Sequence, residues 1–207
     1  MEDVLEVYKR PYDPRRPVVC LDETSRQLLS DTRTPLSCGP GQPQRRDHEY
    51  ARGGTANLFL AFEPLAGQRT TQVTAQRTKV DWARFVKALL DGPYATVEKV
   101  VLVQDNLNTH TPSSLYEAFA PAEARRLVEK LELHYTPKHG SWLNLAEVEF
   151  SVLERQLPQR MGSRKQFTEV ATGWTQNRNR ATVRADWRFT TADARIKLKR
   201  LYPCIQL

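Results

Sequence analysis

Apolar residues fall into runs of two kinds along this chain. Pro17-Val18-Val19-Cys20-Leu21 is an unbroken run ending at Asp22-Glu23, and Val97 to Val103 reads as a second strand of the same kind, ending in Gln104-Asp105-Asn106. Such strands are covered on both faces and lie at the centre of a sheet. Thr55 to Phe62 and Arg69 to Ala75 are β-type runs joined by Glu63-Pro64-Leu65-Ala66-Gly67-Gln68, which predicts an antiparallel hairpin. Helical spacing governs the rest. Trp82, Phe85, Val86, Leu89 and Leu90 predict a helix over 80–90, stopped by Gly92-Pro93. Ser113 to Ala120 and Ala122 to Leu131 read as helices broken at Pro121, and Glu132 to Thr136 as a short strand closed by Pro137. From Trp142 onward, Leu143, Val148, Phe150, Leu153 and Leu157 give a helical pattern that ends at Pro158; 167–174 and 192–201 predict further helices. Breakers from Asp31 through Gly39, Pro40 and Gly41 to Arg46 mark a loop. Residues 1–16, with Pro11 and Pro14, read as a lead-in segment whose apolar face is too short to stand alone as a helix. The order of elements implies an α/β fold with a mixed sheet.

Composition narrows the class. At 207 residues, 40% hydrophobic and 27% charged, the chain can bury a core and is neither disordered nor fibrous. No apolar run approaches the roughly 20 residues of a membrane span, and Met1-Glu2-Asp3 is too acidic for a secretory leader, so a cytoplasmic protein with no membrane partner is expected. Cys20, Cys38 and Cys204 include no CxxC pair; they read as free thiols, with Cys20 buried. The net charge of +7 is unevenly placed. Between Arg155 and Arg200 stand 12 basic and 3 acidic residues, or +9, which leaves 19 basic and 21 acidic residues, or −2, for the remainder. A +9 tail implies an anionic partner.

Candidate chemistry centres on carboxylates. Asp22 and Asp105 each lie just beyond an apolar strand; if those strands are parallel neighbours, both acids emerge at one sheet edge, where α/β folds place their sites. Glu147 is the third candidate, three residues after Asn144 and so on the same helical face, with Glu149 and Glu154 as local rivals. Converging acids need a cation, and hard oxygen ligands select Mg²⁺ or Mn²⁺. Such ions support phosphoryl transfer at a phosphodiester. An Asp after a strand also serves as a turn former or helix N-cap, so spacing alone is a weak signal. His110 and His139 flank the acids and suit hydrogen-bonding or structural roles. The glycines fit neither phosphate-loop nor dinucleotide fingerprints, and Ser141 and Cys38 lack a nucleophile-elbow context, which argues against NTPases and serine or cysteine hydrolases.

Three blocks in order are more specific. Val18-Val19-Cys20-Leu21-Asp22-Glu23, Leu102-Val103-Gln104-Asp105-Asn106-Leu107-Asn108-Thr109-His110 and Thr136-Pro137-Lys138-His139-Gly140-Ser141-Trp142-Leu143-Asn144-Leu145-Ala146-Glu147 resemble the catalytic blocks of bacterial transposases of the insertion sequence 630 family, within the mariner-like group. Gly54 to Phe59, Asp186 to Thr191 and Arg195 to Pro203 are similar too. The resemblance implies a ribonuclease H-like mixed sheet flanked by helices, with a catalytic Asp22, Asp105, Glu147 triad binding two Mg²⁺ ions, for which Mn²⁺ can substitute. It implies DNA as partner, both transposon ends and target, with self-association as a dimer. Asn106, Asn108, His110 and Asn144 match motif positions that could orient the acids or the DNA; capping of the local backbone is the competing role. Arg178, Arg180, Arg184, Arg188, Lys197, Lys199 and Arg200 are the expected DNA-backbone contacts.

The expected organisation is a lead-in over 1–16, a catalytic domain over 17–158 and a basic helical C-terminal extension over 159–207 packed on it. The helix-turn-helix modules that such transposases normally carry before the catalytic domain are expected to be absent. A DNA strand-transfer domain is the leading function. The alternatives are a catalytically silent remnant or domesticated DNA-binding protein, and a ribonuclease H-type nuclease, which the lack of a placeable fourth acid disfavours.

Overall fold

The computed structural model describes residues 1–138 and 140–202. Its strands are β1 (Val18–Asp31), β2 (Tyr50–Glu63), β3 (Gln68–Thr74), β4 (Val100–Gln104) and β5 (Leu131–Tyr135). Its helices are α1 (Glu2–Tyr8), α2 (Lys79–Asp91), α3 (Pro112–Ala118), α4 (Pro121–Glu129), α5 (Leu145–Gln156), α6 (Arg164–Arg180) and α7 (Thr191–Lys197), with 3₁₀ turns at Ser141–Leu143 and Lys199–Leu201. The strands form one sheet in the order β3-β2-β1-β4-β5. β1 pairs antiparallel with β2 and parallel with β4, and β4 pairs parallel with β5, so the sheet is mixed as the pattern predicts.

Strand alternation divides the core into two layers. Cys20, Leu58, Leu60 and Phe62 face one side, where α1, α5 and α6 bring Leu5, Phe150, Leu153 and Phe167. Val19, Leu21, Phe59 and Ala61 face the other, against Trp82, Phe85, Leu115 and Leu127 of α2, α3 and α4. Because β1 and β4 are covered on both faces, they need apolar residues at consecutive positions. The helix starts are chemically marked: Thr78 with Asp81 and Thr190 with Asp193 form capping boxes, and Ser163 caps α6.

Three expectations are corrected. Residues 1–16 are not a loose lead-in, since α1 buries Val4, Leu5 and Val7 completely or almost so. It is held by the far end of the chain, with Glu2 paired to Arg195 at 2.8 Å and Glu6 accepting from the Thr191 hydroxyl at 2.6 Å. β1 runs on to Asp31 rather than stopping at the apolar run, because its polar half pairs with the start of β2 in a projecting arm. The breaker-rich tip of that arm contains the bridges Leu36↔Arg45 and Gly39↔Gln42. β4 begins at Val100, since the Glu98 and Lys99 amides bond the Arg15 carbonyl outside the ladder. No described helix is long and apolar enough to cross a membrane.

Candidate active site

The register of the central strands sets the site. Val18 lies beside Val101, Val19 beside Leu102 and Cys20 beside Val103, a constant offset of 83 (101 less 18). The same offset carries Asp22 to Asp105, just past the end of β4. Asp22 therefore continues the face of Cys20, toward α5, while Glu23 continues that of Leu21, toward α2.

Asp22 is 6% exposed. Burial raises its pKa; the Glu23 backbone N–H donating to Oδ1 at 2.8 Å opposes this, but the charges of Glu147, Asp105 and Glu23 add to it, and the carboxyl is pushed up to about 8. Asn144 is the link to the third segment. Its side-chain amide donates to the Leu21 carbonyl at 2.9 Å and to Asp22 Oδ2 at 3.2 Å, while its oxygen caps α5 by accepting from the Ala146 N–H. One buried side chain thus fixes the start of α5 against β1. Glu147 sits in the first turn of that helix, exposed, close enough to raise the Asp22 pKa.

Its rivals are engaged elsewhere. Glu149 is buried in a double ion pair with Arg69 and Arg178, and Glu154 pairs with Arg26 at 3.1 Å.

Asp105 faces His110, whose Nδ1 contacts Asp105 Oδ1 while Nε2 lies 2.9 Å from Glu23 Oε2. Burial alone would lower the histidine pKa, but the two carboxylates raise it to about 9 and keep the ring protonated. The ring stacks on Trp82, and the His110 carbonyl accepts from Gln104 and Tyr135. Glu23 belongs to the carboxylate cluster although it was not singled out from sequence; its signal is its place one residue after Asp22, on the opposite face of the strand. Asn106 and Asn108 are exposed, and among the described residues their side chains bond no carboxylate. His139 lies outside the described residues.

The basic tail is less free than its charge count implies. Arg178 is corrected from a surface contact to a structural one, because both edges of its guanidinium are bound to Glu149 at 2.9–3.0 Å. Arg160 and Arg195 are likewise paired, with Asp31 and Glu2. Arg180, Arg184, Arg188, Lys197, Lys199 and Arg200 remain exposed.

A divalent cation can be tested against this donor set. Asp22, Asp105 and Glu147 offer hard carboxylate oxygens, and the raised Asp22 pKa reports an excess of negative charge that a cation would relieve. The chemistry fits. Among the described residues no three His, Cys, Asp or Glu side chains are gathered as a ready-made ligand cluster, and Asp105 would turn from His110 to join one.

A parallel strand pair that brings two aspartates level, with a third acid carried by a capped helix, defines a class of metal-dependent nuclease. The chain belongs to the DDE superfamily endonuclease family, whose sequence profile matches residues 17–168. Among solved structures it is similar to the Mos1 transposase paired-end complex with left transposon end, at 15% identity and a TM-score of 0.57 over 88% of this chain and 56% of that one. It is also similar to the Mos1 strand transfer complex, at 15% and 0.57 over 87% and 54%, and to the Mos1 mariner paired end complex with Mn, at 15% and 0.56 over 87% and 55%. At that identity the likeness is one of fold, the ribonuclease H-like sheet, and this chain spans a little over half of those proteins. A human histone-lysine N-methyltransferase, H3 lysine-36 specific, is 28% identical over 109 residues, covering 47% of this chain and 4% of that protein. A match to so small a share of that protein transfers no activity.

Proposed function

We propose that this chain is a transposase catalytic domain of the insertion sequence 630 type that cleaves DNA and joins transposon ends to target DNA. Asp22, Asp105 and Glu147 are its catalytic acids and would hold Mg²⁺, with Mn²⁺ able to substitute. The observation that carries the reading is the β1–β4 register, which brings Asp22 and Asp105 level, together with Asn144, which ties the Glu147 helix to Asp22. Family membership and the Mos1 fold likeness support it.

Each residue has a task. Asp22 is preset by the Asn144 amide and the Glu23 N–H, so it enters the reaction with little rotamer freedom left to lose. His110, held by Glu23, steers Asp105 and balances its charge. Glu147 approaches from the exposed side, where a phosphodiester can reach it. A bound divalent metal would supply Lewis-acid polarisation of the phosphoryl oxygen and of the attacking hydroxyl or water. Arg180, Arg184, Arg188, Lys197, Lys199 and Arg200 would grip the DNA backbone.

The test is purified protein with Mg²⁺ and a duplex carrying a pre-cut 3′ end. Nicking or strand transfer that disappears in Asp105→Asn is expected. An inactive wild-type protein, or undiminished activity in Asp105→Asn, overturns the assignment.

A further inference from the structure

Next to the three acids lies an aromatic surface that the proposed chemistry does not use. Trp142, two residues before Asn144 and five before Glu147, keeps 42% of its surface exposed. Its ring is backed by Trp187 at a centroid distance of 6.2 Å and 25° between planes, and Phe189 abuts it edge-on at 5.8 Å. Both supports are anchored. Trp187 packs on Tyr8 at 5.2 Å and donates its indole N–H to the Phe189 carbonyl at 2.8 Å, while the Tyr8 hydroxyl donates to the Leu143 carbonyl at 2.7 Å. An exposed indole held this firmly loses little freedom when something stacks on it.

Positive charge borders the same surface. The Lys197 ammonium stands 5.7 Å from the Phe189 ring centre, and the Arg188 side chain, between Trp187 and Phe189 in the chain, is 89% exposed. A fixed aromatic face rimmed by cations matches a nucleobase with its phosphate, and suits a partner protein's apolar side chain less well. A base inside a duplex has both faces covered, so only an unpaired base can use such a platform.

We propose that Trp142 is a stacking platform for an unpaired nucleobase of the strand end presented to Asp22, Asp105 and Glu147. The inference rests on the proposed function for the identity of that strand. Stacking is sequence-tolerant, because every base has a π-face. Trp142 thus selects frayed or overhanging ends over intact duplex without reading their sequence.

The test uses two DNA probes, a blunt duplex and the same duplex with a short 3′ overhang carrying 2-aminopurine, bound by the full chain without divalent metal so that cleavage does not interfere. Wild type should quench the 2-aminopurine and prefer the overhang. Trp142→Ala should raise the overhang Kd by about 5- to 140-fold, the equivalent of ~1–3 kcal/mol per stacked base, and leave the blunt Kd within about twofold. Trp142→Phe should restore most of the preference, which shows that the alanine variant failed through stacking and not through folding. Equal weakening on both probes, no weakening, or loss of self-association with DNA affinity unchanged would each overturn the platform. The two proposals fail separately. Overhang preference that depends on Trp142 in a protein that never cuts DNA would sink the catalytic reading and leave the platform standing. Cleavage abolished by Asp105→Asn but indifferent to Trp142→Ala, with an unchanged overhang Kd, would do the reverse.

Discussion

Replacing Glu149 by Gln should unsettle this fold more than any exposed charge change. The carboxylate is held by two guanidinium forks, Arg69 at 2.8 and 2.9 Å and Arg178 at 3.0 and 2.9 Å. The Arg69 side chain has no solvent exposure, lies 4.1 Å over the Phe62 ring, and donates also to the Gly67 and Val183 carbonyls. Removing the negative charge leaves a buried cation beside a second, nearly buried one. Breaking a buried pair from one side costs ~3–5 kcal/mol. At ~2–4 °C per kcal/mol for a chain of this size, the melting temperature should fall by about 6–20 °C. Circular-dichroism melts and urea titrations measure it. The pH dependence is a second signature. Burial raises the Glu149 pKa, but Arg69 and Arg178 outweigh it and hold the carboxyl below its ordinary 4.5. A depressed folded pKa stabilises above the unfolded value and is lost as pH falls through the folded one. The gap between wild type and Glu149→Gln should therefore be full near neutrality and close as pH drops below about 4.5. A loss under 1 kcal/mol, or a gap that stays constant from neutral to acid pH, would refute the argument.

Other perturbations separate structural from functional roles. Leu5→Ala removes a fully buried side chain of α1 and should cost ~2–5 kcal/mol by urea titration, whereas a dispensable N-terminal segment would show almost no change. Asn144→Ala deletes the α5 cap and orphans the Leu21 carbonyl, for a loss of ~2–4 kcal/mol combined, and strand transfer should fall with it because Asp22 loses its tether. In DNA-binding titrations, Arg180→Gln and Arg188→Gln should each reduce the salt slope by about 1, while Arg178→Gln should lower the melting temperature and leave the slope almost unchanged.

The outcome for Arg178 shows what a sequence hides. In the chain it is one of a dozen basic residues in a positive tail, and its partners stand 29 and 109 positions away, at Glu149 and Arg69. No periodicity marks a pair at that separation, so counting charge over a segment overstates what is free to meet DNA. α1 escaped detection for a similar reason: three apolar residues make no convincing amphipathic face until α7 and the Trp187 loop supply the other wall. The polar half of β1 was missed because its apolar signal stops at Leu21, although pairing with β2 continues. What could be read locally was read. β4, β5, α2 and the break at Pro121 between α3 and α4 each follow from contiguous residues and their stops. The placement of Asp22 and Asp105 at one sheet edge required only that their strands be parallel neighbours, and they are. Glu23 and the His110 link needed the fold itself, since they depend on which side of a strand each side chain takes.

The projecting arm between β1 and β2 bears on how such a chain can be altered. Asp22 and Asp105 are level because Val18 sits beside Val101, not because 83 residues separate them. Extra residues spliced into the tip between Leu36 and Arg45 would lengthen the count and leave the acids where they are, whereas one residue added between Val18 and Asp22 would turn the first acid to the wrong layer. The tip can therefore host a tag, a fluorophore or a foreign peptide at small cost to the chemistry. The spacing between the acids along the chain is then a tether length, free to drift between relatives, while the strand alignment is not.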